Sequence, residues 1–135
     1  MNPTDLVMEF PKTNGGYKVK IYRTSTGIYT LGMDSAIGKS RLCSLLKTLA
    51  SIGEPVRGYD YKDFKANVSI EGLKEDGIKL VMFDRYDMYN GAFAKDIIEM
   101  GKNRVVLLDC KTGPKLGTVS YCRPIEMGQR AIEIY

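Results

Sequence analysis

The sequence predicts an α/β fold with a largely parallel central sheet flanked by helices. In the middle of the chain, short apolar segments of strand type alternate with segments of helical periodicity. Two of the apolar segments lack polar residues, which is typical of strands buried on both faces of a parallel sheet. The chain has 135 residues, 44% of them apolar, a size that suits one core. We therefore expect a single compact domain over residues 1–135.

The N-terminal part of the chain is predicted to form an antiparallel hairpin. Residues 1–15 read as an arm or a loose first strand that leads into a turn. The segment "YKVKIYR", which begins at Tyr17, alternates between apolar and polar residues as a half-buried strand does. A turn at residues 24–27 and the segment "IYTLG", which begins at Ile28, predict the returning strand.

The segment after Ser40 is predicted to be an amphipathic helix. Gly53 stands where a C-terminal cap belongs, and Pro55 prevents the helix from continuing. The apolar residues that recur at helical spacing are Leu42, Leu45, Leu46 and Leu49.

The rest of the chain continues the alternation of strands and helices. Residues 56–61 are compatible with a short strand, and residues 62–78 read as a loop with up to one short element. "IKLVMFD", ending at Asp84, and "RVVLLD", ending at Asp109, predict buried strands. Between them, "GAFAKDIIEM" predicts a helix that brings Phe93, Ile97 and Ile98 together. "TVSYC" and "RAIEIY" predict two further strands, and right-handed crossovers then give a largely parallel sheet.

Composition excludes several classes of chemistry. The chain has no histidine, which removes His-based acid/base catalysis, Ser-His or Cys-His nucleophiles and the commonest zinc ligand. Its cysteines are odd in number and lack metal-ligand spacing, so we expect reduced thiols. The net charge of +4 is dispersed among acidic residues, so nucleic-acid binding is not indicated.

No segment has the character of a membrane span. The apolar runs Leu80–Phe83 and Val105–Leu108 are far shorter than the roughly 18 residues that a transmembrane helix needs. Asp5 and Glu9 interrupt the region where a signal peptide would have its apolar core. We therefore expect no membrane partner and a cytoplasmic location.

The segment "MDSAIGKS", Met33 to Ser40, has the chemistry of a phosphate-binding loop. It lies between a predicted strand and a predicted helix, whose first backbone N–H groups lack intrahelical partners and attract anions. Gly38 allows close approach of the backbone, Lys39 adds a positive charge, and the Ser40 hydroxyl is a ligand for magnesium. The backbone N–H groups from Ala36 to Ser40 would form the anion cradle.

This segment resembles the Walker A loop of the P-loop NTPase superfamily, and is closest to the "GDSxxGKS" form of small GTPases. It departs from that pattern at Met33, which stands where the family has its first glycine. The resemblance implies a P-loop NTPase-like fold and a site for ATP or GTP with Mg²⁺. The nucleotide-binding residues that it implies are Asp34, Ser35, Ala36, Ile37, Gly38, Lys39, Ser40 and Arg41.

The segment "KLVMFD", Lys79 to Asp84, resembles a Walker B strand. The resemblance places this strand beside the first strand of the sheet and implies that Asp84 holds a magnesium-bound water, with Ser40 as the direct metal ligand. "VVLLD", ending at Asp109, has the same pattern and is a rival. We prefer Asp84, because in many family members the next strand ends with a polar residue that senses the γ-phosphate, a place that Asp109 could take.

The leading functional prediction is magnesium-dependent nucleotide binding, with ATP preferred because the guanine-specific "NKxD" is missing. Hydrolysis is not implied, since Arg85 replaces the glutamate common after the Walker B aspartate. A first alternative is a nucleotide or small-molecule kinase: "DRY" resembles a thymidylate kinase motif, although Arg85 and Asp87 are read more simply as a surface salt bridge. A second is a non-catalytic interaction module with a degenerate loop, marked by Met33. The resemblance implies a contact for a protein partner at residues 62–78, where many P-loop proteins have their state-sensing loop, and the N-terminal hairpin offers a second edge for association.

Overall fold

The computed structural model describes seven segments of the chain, namely residues 6–10, 17–21, 26–31, 39–110, 118–120, 122–124 and 131–134. In these segments the strands are β1 Leu6–Phe10, β2 Tyr17–Ile21, β3 Gly27–Leu31, β4 Val56–Tyr59, β5 Leu80–Phe83, β6 Val105–Asp109, β7 Thr118–Ser120, β8 Cys122–Pro124 and β9 Ala131–Ile134. The α-helices are α1 Lys39–Ser51, α2 Tyr61–Lys65 and α3 Ala94–Met100. Short 3₁₀ helices cover Glu71–Lys74 and Tyr86–Met88.

The larger sheet has five strands in the order β4-β5-β6-β3-β7, and every neighbouring pair is parallel. Its carboxyl ends are nearly level, since Phe83 pairs with Leu108 and Leu31 pairs with Asp109. This sheet contains β4, which lies within the strand predicted at residues 56–61, and β5 and β6, the two predicted buried strands. The prediction of an α/β fold with a largely parallel sheet is therefore confirmed.

The smaller sheet has the order β1-β2-β9-β8 and was not predicted as a separate sheet. β2 pairs antiparallel with β1 and parallel with β9. An N-terminal antiparallel hairpin is present, formed by β1 and β2, but the predicted pairing of β2 with the returning strand β3 was wrong, because β3 joins the larger sheet instead. The physical reason is the burial of both faces of β3: Tyr29 is buried on one face and Thr30 on the other, which suits a central parallel strand.

One face of the larger sheet is covered by α1. The predicted leucines at helical spacing are all buried there. Contact is closest at Gly58 of β4, where a Cβ atom would lie 2.7 Å from the Cys43 carbonyl oxygen and 2.9 Å from Cγ of Lys47. Only a glycine lets the helix and the strand approach this closely.

The opposite face is covered by an aromatic cluster and by α3. The rings of this aromatic cluster belong to Tyr59, Tyr61, Phe64, Phe83, Tyr86, Tyr89 and Phe93. Phe64 and Tyr89 stack with ring centroids 4.5 Å apart. The prediction for α3 holds for Ile97, which is buried, but not for Ile98, which is 48% exposed; Met100 is buried instead.

Residues 61–78 contain more regular structure than the loop predicted for residues 62–78. α2 begins with a reciprocal cap, in which Asp60 accepts from the Asp63 N–H at 2.9 Å and Asp63 accepts from the Asp60 N–H at 3.0 Å. Further along, the guanidinium of the buried Arg104 donates to the Leu73 carbonyl at 2.7 Å. The cap was missed because it uses aspartate where a capping box usually has glutamate or glutamine.

Among the segments described, no helix has both the length and the apolar character needed to cross a membrane. The prediction of one compact domain over the whole chain stays a prediction.

Candidate functional site

The order of the strands marks a candidate ligand position at the carboxyl edge of the larger sheet. The chain leaves β3 through α1 toward β4 at one edge, whereas it leaves β6 toward β7 on the other side of β3. The connections that follow these two neighbouring strands therefore diverge. In open parallel sheets, ligands bind outside the carboxyl ends of the strands at such a point. Leu31 and Asp109, which pair at these ends, mark the position.

The predicted phosphate-binding loop lies in sequence between the end of β3 and the beginning of α1. Lys39, Ser40 and Arg41 form the beginning of α1. The remaining predicted nucleotide-binding residues, Asp34, Ser35, Ala36, Ile37 and Gly38, lie outside the described residues, as does Met33. The context that the motif requires, a strand before it and a helix after it, is present. The anion cradle itself stays a prediction.

Two buried carboxylates lie at the carboxyl edge of the larger sheet. Asp84 follows β5 and is 8% exposed, and Asp109 ends β6 and is 2% exposed. The predicted position of the Asp84 strand beside the first strand was wrong, since β6 lies between β5 and β3. Chain order could not reveal this, because a crossover can skip a strand. Asp109 is therefore the carboxylate on the strand next to β3.

Arg85 and Asp87 form a second feature of this edge. Arg85 Nε donates to Oδ1 of Asp87 and Nη2 donates to Oδ2, both at 3.2 Å. The salt bridge expected between these residues is present. It is not a pure surface pair, however, because the Asp87 side chain is only 2% exposed. Sequence reasoning missed this buried acceptor. Its position in sequence, shortly after a buried strand and so at the sheet edge where ligands bind, could have indicated that Asp87 is part of the site.

Buried tyrosines hold the ends of β4 and β5 together. The Tyr89 hydroxyl donates to the Asp84 carbonyl at 2.9 Å and contacts the Tyr59 carbonyl oxygen at 3.4 Å. The Tyr59 hydroxyl donates to the Val68 carbonyl at 2.6 Å. Tyr59 is thus a packed core residue whose hydroxyl is bonded to protein.

Cys43 on α1 lies close to Asp84 and Asp60, and its thiol is a poor nucleophile. Its side chain is buried against the sheet, and its Sγ lies 3.7 Å from the Tyr59 carbonyl oxygen. Burial, followed by the charges of Asp84 and Asp60, raises the pKa of the thiol to about 12. The structure therefore favours a packed side chain over a thiol activated by the dipole of α1.

We expect Cys43 to resist alkylation in the folded protein. At pH 8 a thiol with a pKa of about 12 is almost entirely protonated, and protonated thiols are poor nucleophiles. In a variant in which Cys110 and Cys122 are replaced by serine, modification by iodoacetamide should require unfolding, and urea should accelerate it. Rapid labelling in native buffer, at the rate of a free cysteine peptide, would contradict this assignment.

The chemistry of this edge fits a magnesium ion that is shared with phosphates. Within the described part of the chain, no group of three or more His, Cys, Asp or Glu residues could hold a metal ion by itself. Mg²⁺, however, is usually held by one or two carboxylates together with water and substrate phosphates. Asp84 and Asp109 supply oxygen ligands of the required type at neighbouring strand ends.

No family model, curated protein or solved structure matches this chain. A functional assignment therefore has to come from the residues of the chain and from their geometry.

Proposed function

We propose that the chain binds a nucleoside triphosphate with Mg²⁺ at the carboxyl edge of the larger sheet, and that it is a divergent P-loop NTPase-like protein. The observation that carries the proposal is the position of the motif. β3 lies between two other strands and ends at Leu31, α1 begins at Lys39, and the motif connects them where the strand connections diverge. A random Gly-Lys-Ser triplet would have no reason to fall at this point of the fold.

In this proposal each residue has a defined task. The backbone N–H groups of Ala36 to Ser40 bind the phosphate oxygens, and the helix dipole of α1 adds a positive potential. Lys39 binds the β- and γ-phosphates, and Ser40 is a metal ligand. Asp84 orients a water of the metal, and Asp109, next to β3, faces the phosphates. The metal, when bound, neutralises phosphate charge.

ATP is preferred over GTP because the chain lacks the guanine-specific motif and retains only its lysine, in "DCKTG". We propose binding and assign no hydrolysis, since Arg85 and Asp87 occupy the positions where ATPases and GTPases carry their typical glutamate and glycine. A cytoplasmic location and a protein partner that responds to the bound nucleotide belong to the same proposal.

Isothermal titration with Mg·ATP and Mg·GTP tests this proposal. We expect saturable binding of both, tighter for ATP, with an affinity reduced by Met33 but still measurable below millimolar concentration. Chelation of Mg²⁺ by EDTA should weaken the binding of ATP. If neither nucleotide gives heat or competes with a fluorescent ATP analogue at millimolar concentration, the proposal fails and the non-catalytic interaction module is the better description.

A further inference from the structure

Arg85 occupies an unusual backbone position directly behind Asp84. Its φ angle is 55°, in the left-handed region that residues with a Cβ atom rarely adopt. Strain of this kind persists only where the surrounding structure fixes it, and it is concentrated at functional sites. Arg85 follows β5 at the carboxyl edge, and its guanidinium interacts electrostatically with Asp84 and Asp109.

The guanidinium of Arg85 is fixed on one side and open on the other. Among the described residues, Asp87 accepts the hydrogen bonds of the Arg85 side chain. These bonds come from Nε and Nη2 of Arg85 and not from Nη1. Asp87 is 2% exposed, whereas the Arg85 side chain is 36% exposed. The buried carboxylate of Asp87 therefore holds the more exposed guanidinium of Arg85 in one orientation. Such a preorganised guanidinium loses little conformational entropy when it binds a phosphate.

The charges around Arg85 match a metal-bound polyphosphate. The hydrogen bonds with Asp87, followed by the charges of Asp109 and Asp84, raise the pKa of Arg85. Arg85 is thus a cation beside three carboxylates, a setting in which a phosphate would bind together with its Mg²⁺ and not alone.

The strand order decides which phosphate Arg85 can reach. β5, which precedes Arg85, is separated from β3 by β6, and adjacent strands are about 4.8 Å apart. The backbone of Arg85 therefore lies roughly 10 Å along the sheet edge from the end of β3. A phosphate chain that is anchored between β3 and the beginning of α1 must cross β6 to reach Arg85. Its outermost phosphate does so first.

We propose that Arg85 binds the terminal phosphate of the nucleotide and that Asp87 positions it, so that the protein distinguishes a nucleoside triphosphate from a diphosphate. This inference rests on the nucleotide binding proposed above. It assigns Arg85 to the nucleotide itself and not to a second substrate.

Equilibrium dissociation constants for Mg·ATP and Mg·ADP test the inference in the wild-type protein and four variants. Arg85→Asn removes the charge while keeping a residue that tolerates the left-handed backbone. Arg85→Lys keeps the charge but loses the fork, and Asp87→Asn weakens the anchor. Lys102→Ala is the matched control, because it removes one positive charge from an exposed site before β6, at the opposite edge of the sheet. A thermal melt of each variant confirms that it is folded.

We expect the wild-type protein and Lys102→Ala to bind ATP at least 10-fold more tightly than ADP. Arg85→Asn should weaken the affinity for Mg·ATP about 10- to 30-fold and change the affinity for Mg·ADP by less than about 2-fold. The losses of Mg·ATP affinity in Asp87→Asn and Arg85→Lys should lie between those of the wild-type protein and Arg85→Asn. Equal losses for ATP and ADP, or an unchanged ratio, would overturn the role of Arg85 while leaving nucleotide binding intact. Absence of binding in the wild-type protein would overturn both proposals.

Discussion

Replacing Gly58 with valine is expected to lower the free energy of unfolding by about 3 kcal/mol, the upper end of what overpacking usually costs. The new Cβ would lie 2.7 Å from the Cys43 carbonyl oxygen, and this backbone atom cannot rotate away. The helix α1 would have to move off β4. Because α1 begins with Lys39 and Ser40, the same displacement would also disturb the proposed nucleotide site.

Urea denaturation monitored by circular dichroism measures this effect, with Gly72→Val as the control. Gly72 is an exposed residue of the 3₁₀ helix Glu71–Lys74, and the nearest neighbour of a Cβ atom added there would be a flexible glutamate oxygen at 3.7 Å. We expect the control to change the free energy of unfolding by less than about 1 kcal/mol. A Gly58→Val protein as stable as Gly72→Val would mean that α1 does not pack on β4 as described.

Replacing Lys39 with alanine should reduce the affinity for Mg·ATP about 100-fold, since hydrogen bonds between charged groups contribute roughly 1.5–3 kcal/mol each. The effect is expected in binding and not in folding. At a nucleotide concentration of about 100 times the wild-type Kd, the wild-type protein should gain about 2.7 kcal/mol of stability, and the variant about 0.4 kcal/mol.

Thermal melting with and without Mg·ATP follows this difference, and Lys102→Ala again serves as the control for loss of one charge. The control should keep the full stabilisation by nucleotide. If Lys39→Ala is protected by nucleotide as well as the wild-type protein is, then Lys39 does not contact the phosphates.

The larger sheet could be largely predicted from sequence, because its strands and helices have strong local patterns. The apolar runs before Asp84 and Asp109 are typical of buried strands, and the leucines of α1 repeat at the helical period. What could not be predicted was the pairing. The position of β6 between β5 and β3, and the separation of β2 from β3, depend on contacts between residues far apart in sequence.

The predicted nucleotide-binding residues stay a prediction, whereas parts of their surroundings could be predicted. The motif indicated the helix that begins at Lys39, and the apolar run before Asp84 indicated a carboxylate at the end of a buried strand. The rigidity of Arg85 was not predictable, because the burial of Asp87 depends on the packing of the chain after β5. Local patterns report periodicity, whereas burial of a single polar residue depends on the whole fold.

The central claim is that an anion binds between β3 and the beginning of α1. NMR titration of the ¹⁵N-labelled protein with Mg·ATP tests it most directly, because each backbone amide reports its own environment. We predict the largest shifts at the amides of residues 36–40, with smaller shifts at Asp109. A cavity of about 220 Å³ that includes Lys74 and Arg104 lies before β6, at the other edge of the sheet. Shifts confined to that cavity, or none at residues 36–40, would contradict the claim.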